Sequence, residues 1–227
     1  MIVGGKIDRF LDSYDMSALY QDYAWGEDNW ASGFKCIVVL EKRFKKARER
    51  NCLTYDDIKK VLEWGRARAK NSMRFPQSLY ISKNEINNPN LLFRRLQSEK
   101  DKKNISGIGP TYQSKIIRFI CPENAGCIDT RLVQTFGLDS AHAWIDLQIR
   151  DYGFGPYIPE SKRKWSQEYM DWLDVLVYIR NKLIAEGKHC PHPYTLTESR
   201  LRIPGKWACA DVEMALFQYA SRQIKNE

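Results

Sequence analysis

Apolar residues in this chain recur at helical spacing nearly from end to end, and segments alternating with period two are scarce. Over 33–50, Phe34, Ile37, Val38, Leu40 and Phe44 share one face, and the β-branched run IVVL at 37–40 sits inside that helical period. Thr54 starts TYDDIKKVLEWG; Asp57 stands three residues on, close to a capping box, and Gly65 closes the segment. Asn88-Pro89 opens another helix with Leu91, Leu92, Phe93 and Leu96 as its buried side. A long helix is expected over 165–186, carrying Tyr169, Trp172, Leu173, Leu176, Val177 and Ile179 and stopped by Gly187. The last begins near Asp211 and buries Val212, Leu216, Phe217 and Ala220. The fold class expected is all-α, with an irregular loop over 139–164 that contains GFGPYIP. No internal repeat or low-complexity tract divides the chain, so one domain over 1–227 is expected.

Composition narrows the function classes. Hydrophobic residues make up 43% of the 227, enough for a real core. No run of about 18 apolar residues occurs, so no membrane span is expected. MIVGGKIDRF lacks the apolar stretch of a secretory signal. The six cysteines form no CxxC pair. An intracellular protein with reduced thiols follows as the expectation. The net charge of +8 suits a polyanionic partner but equally a merely basic surface. The run KRFKKARER at 42–50 reads as a solvated face that is also able to touch phosphate. His189, Cys190, His192 and Cys209 raise the question of zinc, but KHCPHP is a Pro-rich turn and the spacing is not two ligand pairs. No metal and no cofactor are expected.

Gly107-Ile108-Gly109 separates the end of one helix from a new helix at Pro110, a residue suited to the first helical position. The glycines permit a tight turn and leave the backbone bare. Ile108 plugs between the two helices, and the free N–H groups at the new helix start are able to bind a phosphate, helped by the dipole and by Lys102 and Lys103. Tyr112, Ile116, Ile117, Phe119 and Ile120 form the apolar side, and Pro122 ends the helix. After the short loop ENAGCI, Asp129 leads the helix TRLVQTFG.

This stretch resembles the helix-hairpin-helix superfamily of DNA glycosylases, whose pattern is GxG, a helix, a loop, then Asp twenty residues after the second glycine. Gly109 to Asp129 has that spacing, and the likeness extends over about 92–137. It implies a two-lobed helical bundle with a helix-hairpin-helix and a central cleft, and it implies that Asp129 is the catalytic carboxylate. Asp is also favoured at any helix N-cap. The chemistry needs such a group: breaking an N-glycosidic bond builds positive charge on the sugar, which a carboxylate stabilises. The target base must first leave the duplex.

Bifunctional members of the family carry a nucleophilic lysine two residues after the second glycine. Thr111 stands there instead, and Lys115 lies one turn along the same face. Three readings stay open: Lys115 as a Schiff-base nucleophile, for which its amine has to be neutral; water activated by Asp129, with Lys115 contacting base or phosphate; or a surface lysine facing DNA. The chain end WACADVEMALFQYA resembles the final helix of 8-oxoguanine DNA glycosylases, where a polar residue and a phenylalanine one turn later face the extruded base. The matching positions are Glu213 and Phe217. Phe217 is able to stack on a base. An ionised Glu213 accepts the two N–H donors of a guanine-type edge, although the family commonly has an amide there. Both positions also suit an ordinary amphipathic helix with an acid in its first turn. Trp25 and Trp30 flank a GED turn and line the pocket, wedge into the duplex or pack in the core; the last is the usual fate of a tryptophan, as for Trp165 and Trp172.

The function expected from the resemblance is excision of an oxidised purine, 8-oxoguanine, from double-stranded DNA by a monomer, with lyase activity through Lys115 and Asp129. The alternatives are a monofunctional enzyme for an alkylated or otherwise modified base, or a non-catalytic helix-hairpin-helix DNA-binding protein. The chain is too short and too helical at its start for the sheet domain that precedes the eukaryotic 8-oxoguanine enzymes.

Overall fold

The structure is a computed structural model that describes residues 4–67, 73–151, 153, 155–160 and 164–225. Its helices are α1 Gly4–Ser13, α2 Met16–Gln21, α3 Lys35–Glu49, α4 Tyr55–Trp64, α5 Lys83–Asn87, α6 Pro89–Asp101, α7 Pro110–Ile120, α8 Thr130–Phe136, α9 Lys164–Ala185, α10 Tyr194–Glu198 and α11 Cys209–Lys225. Two small antiparallel pairs accompany them: β1 Ala24–Trp25 with β2 Asp28–Asn29, and β3 Cys52–Thr54 with β4 Ser78–Tyr80. Strands of two or three residues have too little length to show a period, which is why none was expected. Among the described residues, no helix is long and apolar enough to cross a membrane.

Caps fix the helix starts. The box at Thr54 forms in full: Asp57 N–H donates to Thr54 Oγ1 at 3.2 Å and Thr54 N–H to Asp57 Oδ2 at 2.9 Å, so the shorter acid serves where Glu or Gln is usual. Asn88 caps α6 ahead of Pro89. One expectation for α6 fails. Leu92, Phe93 and Leu96 are buried but Leu91 is 38% exposed. It lies about 100° round the helix from Leu92, on the side away from Phe93. The last helix starts two residues before Asp211, whose carboxylate accepts from Ala208 N–H at 3.1 Å. Up to α9, which begins at Lys164, the described residues of the 139–164 stretch form no helix or strand, only a bridge between Arg150 and Tyr157; Phe154 of GFGPYIP lies outside them.

α7 is the central helix. Every residue from Gln113 to Ile120 is buried, and α3, α4 and α6 pack round it. α11 packs on α2, α8 and α9. The contact between α2 and α11 brings the β1–β2 turn from one end of the chain to the pocket face of a helix near the other. Three cations of the run at 42–50 have partners in the fold, Arg43 and Arg50 pairing with Asp57 and Arg48 donating to the C-terminal carbonyls of α7 at Phe119 and Ile120, while Lys42 and Lys46 are exposed. In KHCPHP, the ligand atoms of Cys190, His192 and Asp211 lie within 4.8 Å of one another. Each has a protein partner. His192 bonds Lys206 O at 2.9 Å and Tyr20 Oη at 3.3 Å, and both oxygens of Asp211 accept from Arg202 Nε at 3.0 Å. His189 and Cys209 stand apart, against Gly205 and Arg180.

Candidate active site

Lys115, Asp129, Glu213 and Phe217 line one pocket together with Tyr23, Trp25, Trp64 and Cys127. Four chain segments supply it: the β1–β2 turn, the end of α4, α7 with its following loop, and α11.

Lys115 is only 5% exposed because α7 is central. Its ammonium sits over three aromatic faces, 5.3 Å from the Trp25 ring centre, 5.2 Å from Trp64 and 5.3 Å from Tyr112. Among the described residues it makes no hydrogen bond or ion pair. An aromatic cage thus surrounds the buried ammonium with three ring faces. The cage is itself anchored. Trp64 Nε1–H donates to Asp28 Oδ2 at 2.8 Å, Trp25 Nε1–H to Trp64 O at 3.2 Å, and Tyr112 Oη–H to Gly65 O at 2.9 Å. Asp28, 1% exposed, spends its other oxygen on the N–H groups of Cys36 and Ile37 at the start of α3. Gly65 is required by space: a Cβ there would stand 2.6 Å from Tyr112 Cε1 and 3.2 Å from Lys115 Nζ.

Asp129 is half-buried and caps α8, with Oδ1 accepting from Arg131 N–H at 3.0 Å and Leu132 N–H at 3.1 Å. The cap fixes its rotamer and, among the described residues, leaves Oδ2 without a hydrogen bond. The cap and a pocket role therefore coexist in one carboxylate. Burial and then Asp129 push the Tyr112 phenol up, and burial and then Glu213 push the Cys127 thiol well up. Cys127 is a neutral thiol, not a thiolate nucleophile.

Glu213 is 3% exposed. Burial raises its pKa to about 7, against the opposing pull of Arg118 and the Cys127 hydrogen bond. It is not a solvated first-turn acid; its side chain packs so tightly on the loop that a Cβ at Gly126 would lie 2.6 Å from Glu213 Cβ. Phe217 meets Trp25 edge-on at 5.7 Å, Tyr23 lies 5.6 Å away, and Arg131 covers both Phe217 and Trp25 at 5.3 and 5.4 Å. The space these groups enclose is about 10 Å³, room for one water.

No family model, curated protein or solved structure matches the chain.

The α6–α7 turn stands at the other end of α7. Gly107 has φ 75°, which demands glycine, and Ile108 is buried between the helices with its carbonyl held by Lys100 and Gln113. Gly109 has φ −81° and nothing within 4 Å of a would-be Cβ. Neither backbone strain nor packing therefore asks for glycine there, and its bareness matters only to something approaching from outside. Among the described residues, the N–H groups of Gly107, Gly109 and Thr111 have no acceptor. Lys102 and Lys103 are both exposed, and Lys102 also pairs with Glu99 at 3.1 Å. Thr111 is not among the pocket residues; one turn along α7, Lys115 is. Trp64, Tyr23, Arg118 and Arg131 stand at or beside the pocket without being expected there. A tryptophan one residue before a helix-closing glycine was the only trace of the first; the others carry no local signal.

Proposed function

We propose that this protein is a base-excision DNA glycosylase of the helix-hairpin-helix kind, a two-lobed helical monomer acting inside the cell. It flips a modified base from double-stranded DNA and removes an oxidised purine, 8-oxoguanine, with AP-lyase activity through Lys115 and Asp129. The observation that carries this reading is the meeting of Lys115, Asp129, Glu213 and Phe217 at one pocket, from positions about a hundred residues apart in the chain. The bare Gly109 at the start of α7 gives a phosphate its landing point, and the net charge of +8 favours the polyanion.

In this mechanism the target base displaces the rings that close the pocket and stacks on Phe217 while Glu213 meets its edge. Asp129 takes a proton from the Lys115 ammonium, and the freed amine attacks C1′ as the C1′–N bond breaks with its electron pair leaving on the base. Asp129 returns that proton to the departing base, and its carboxylate then stabilises the cationic sugar–amine adduct. Ring opening then gives an imine, and loss of a C2′ proton expels the 3′-phosphate. One observation favours a different target within the same class: Glu213 stands where the family commonly has an amide, which suits an otherwise modified base.

Duplexes bearing single modified bases, incubated with the protein and treated with hot alkali, test the reading. Cleavage at 8-oxoguanine, lost in Asp129→Asn, is expected. No cleavage on any duplex would leave only a DNA-binding role. Borohydride on abasic duplex should trap the protein covalently, and Lys115→Ala should abolish the adduct; a variant that traps as well as the parent removes Lys115 as nucleophile.

A further inference from the structure

Behind the pocket runs a chain of buried charges. Arg202 pairs with Asp211 and with Glu41, at 3.0 and 2.6 Å; Arg118 Nη1 reaches Glu41 at 3.1 Å; and Arg118 Nε faces Glu213 Oε2 at 3.8 Å. None of the five side chains is more than 4% exposed. Arg118 Nε has no hydrogen-bond partner, so this guanidinium edge is aimed at Glu213 without yet bonding it. The charges of Glu41 and Asp211 balance those of Arg118 and Arg202. Glu213 shares Arg118 with Glu41, at the longer of the two distances, and is buried without a cation to itself.

We propose that Glu213 reads the extruded base as a carboxylate, and that Arg118, anchored by Glu41, is the positioning residue that holds it in that form. This inference rests on the glycosylase reading above. A guanine-type edge offers two N–H donors, which a carboxylate accepts and a protonated acid does not. An adenine-type edge, one acceptor beside one donor, suits the protonated acid. Base preference thus follows the proton on Glu213: guanine-type bases on the alkaline side of its titration, relaxed discrimination on the acid side. The groups facing Glu213 are Lys115 and Arg118 of α7, Cys127 and Asp129 of the loop, Tyr23 beside the β1–β2 turn and Tyr169 of α9, with Glu41 of α3 acting through Arg118. Both tyrosines are held neutral by burial, and Cys127 likewise.

Single-turnover excision of 8-oxoguanine, measured over pH 5.5–9 and divided by borohydride trapping on preformed abasic DNA, isolates the base-reading step from the chemistry of Lys115. The ratio should rise about tenfold per pH unit up to the titration of Glu213 and then level. Glu213→Gln should flatten it. Arg118→Met should move the rise to higher pH, Arg118→Lys should restore it, and Glu41→Gln should move it to lower pH; a purely structural role shifts no limb in opposite directions. A parent ratio that is flat, a limb that persists in Glu213→Gln, or the same direction of shift in both neighbours overturns the proposal. Should the buried variants fail to fold, the parent alone decides: binding of a duplex with a non-cleavable 2′-fluoro-8-oxoguanosine near neutral pH should release a proton, and absence of release overturns it. Excision on no duplex at any pH sinks the glycosylase reading itself, a result distinct from excision with a flat ratio.

Discussion

At the scale of single residues, the pocket combines groups that ordinary solvation would keep apart. Lys115 is caged by aromatic faces, Asp129 divides its oxygens between a helix cap and the pocket, and Glu213 holds a proton into the neutral range. The last has a consequence for stability. With its pKa raised from 4.5 to about 7 on folding, the folded chain keeps a proton that the unfolded chain has released across that window. Stability from this group is therefore complete below pH 4.5 and is lost as pH rises through 7, by about 3 kcal/mol in all. Urea denaturation of the parent and of Glu213→Gln at pH 5 and pH 8 checks this. The parent should lose more stability than the variant over that interval; equal losses would show that the carboxyl is not the buried titrating group.

At the scale of elements, α4 ends where α7 needs it to. Gly65 lets the last turn of α4 come against Tyr112, and Trp64 beside it forms one wall of the lysine cage. Gly65→Ala would press a methyl into Tyr112 and Lys115, so overpacking should cost about 1–3 kcal/mol and lower the yield of borohydride adduct. Gly5, in α1 with nothing within 4 Å of its would-be Cβ, is the control. Gly5→Ala, in the first turn of α1, should stabilise by no more than about 0.5 kcal/mol, because a glycine gives way to the best helix former. Chemical denaturation of the two variants, with trapping on abasic DNA, separates a site-specific effect from a general one.

At the scale of the whole molecule, the buried chain Asp211–Arg202–Glu41–Arg118–Glu213 ties α3, α7 and α11 together. Removing Arg202 would strand two buried carboxylates. Arg202→Met should cost about 3–5 kcal/mol, whereas Lys60→Met, which breaks an exposed pair with Glu63, should cost under about 1 kcal/mol; thermal melts of both variants compare them. A similar small loss in each would mean that the buried chain is dispensable. The helices α3, α4, α6, α7, α8, α9 and α11, the caps at Thr54, Asn88 and Asp129, the bare turn at Gly109 and the spacing from it to Asp129 were legible in the sequence alone, because periodicity and capping bonds are written within a turn or two of one helix; the shorter or N-terminal helices α1, α2, α5 and α10 were not expected. So were four of the pocket residues, by resemblance. That Leu91 faces water, that Lys102 pairs with Glu99, and that Trp64 and Trp25 enclose Lys115 were decided only by packing. The same holds for the proton on Glu213 and for Arg118, whose partners Glu41 and Met214 lie 77 and 96 residues away. Desolvation and contact depend on which distant segments fold against a side chain, and no local pattern encodes that.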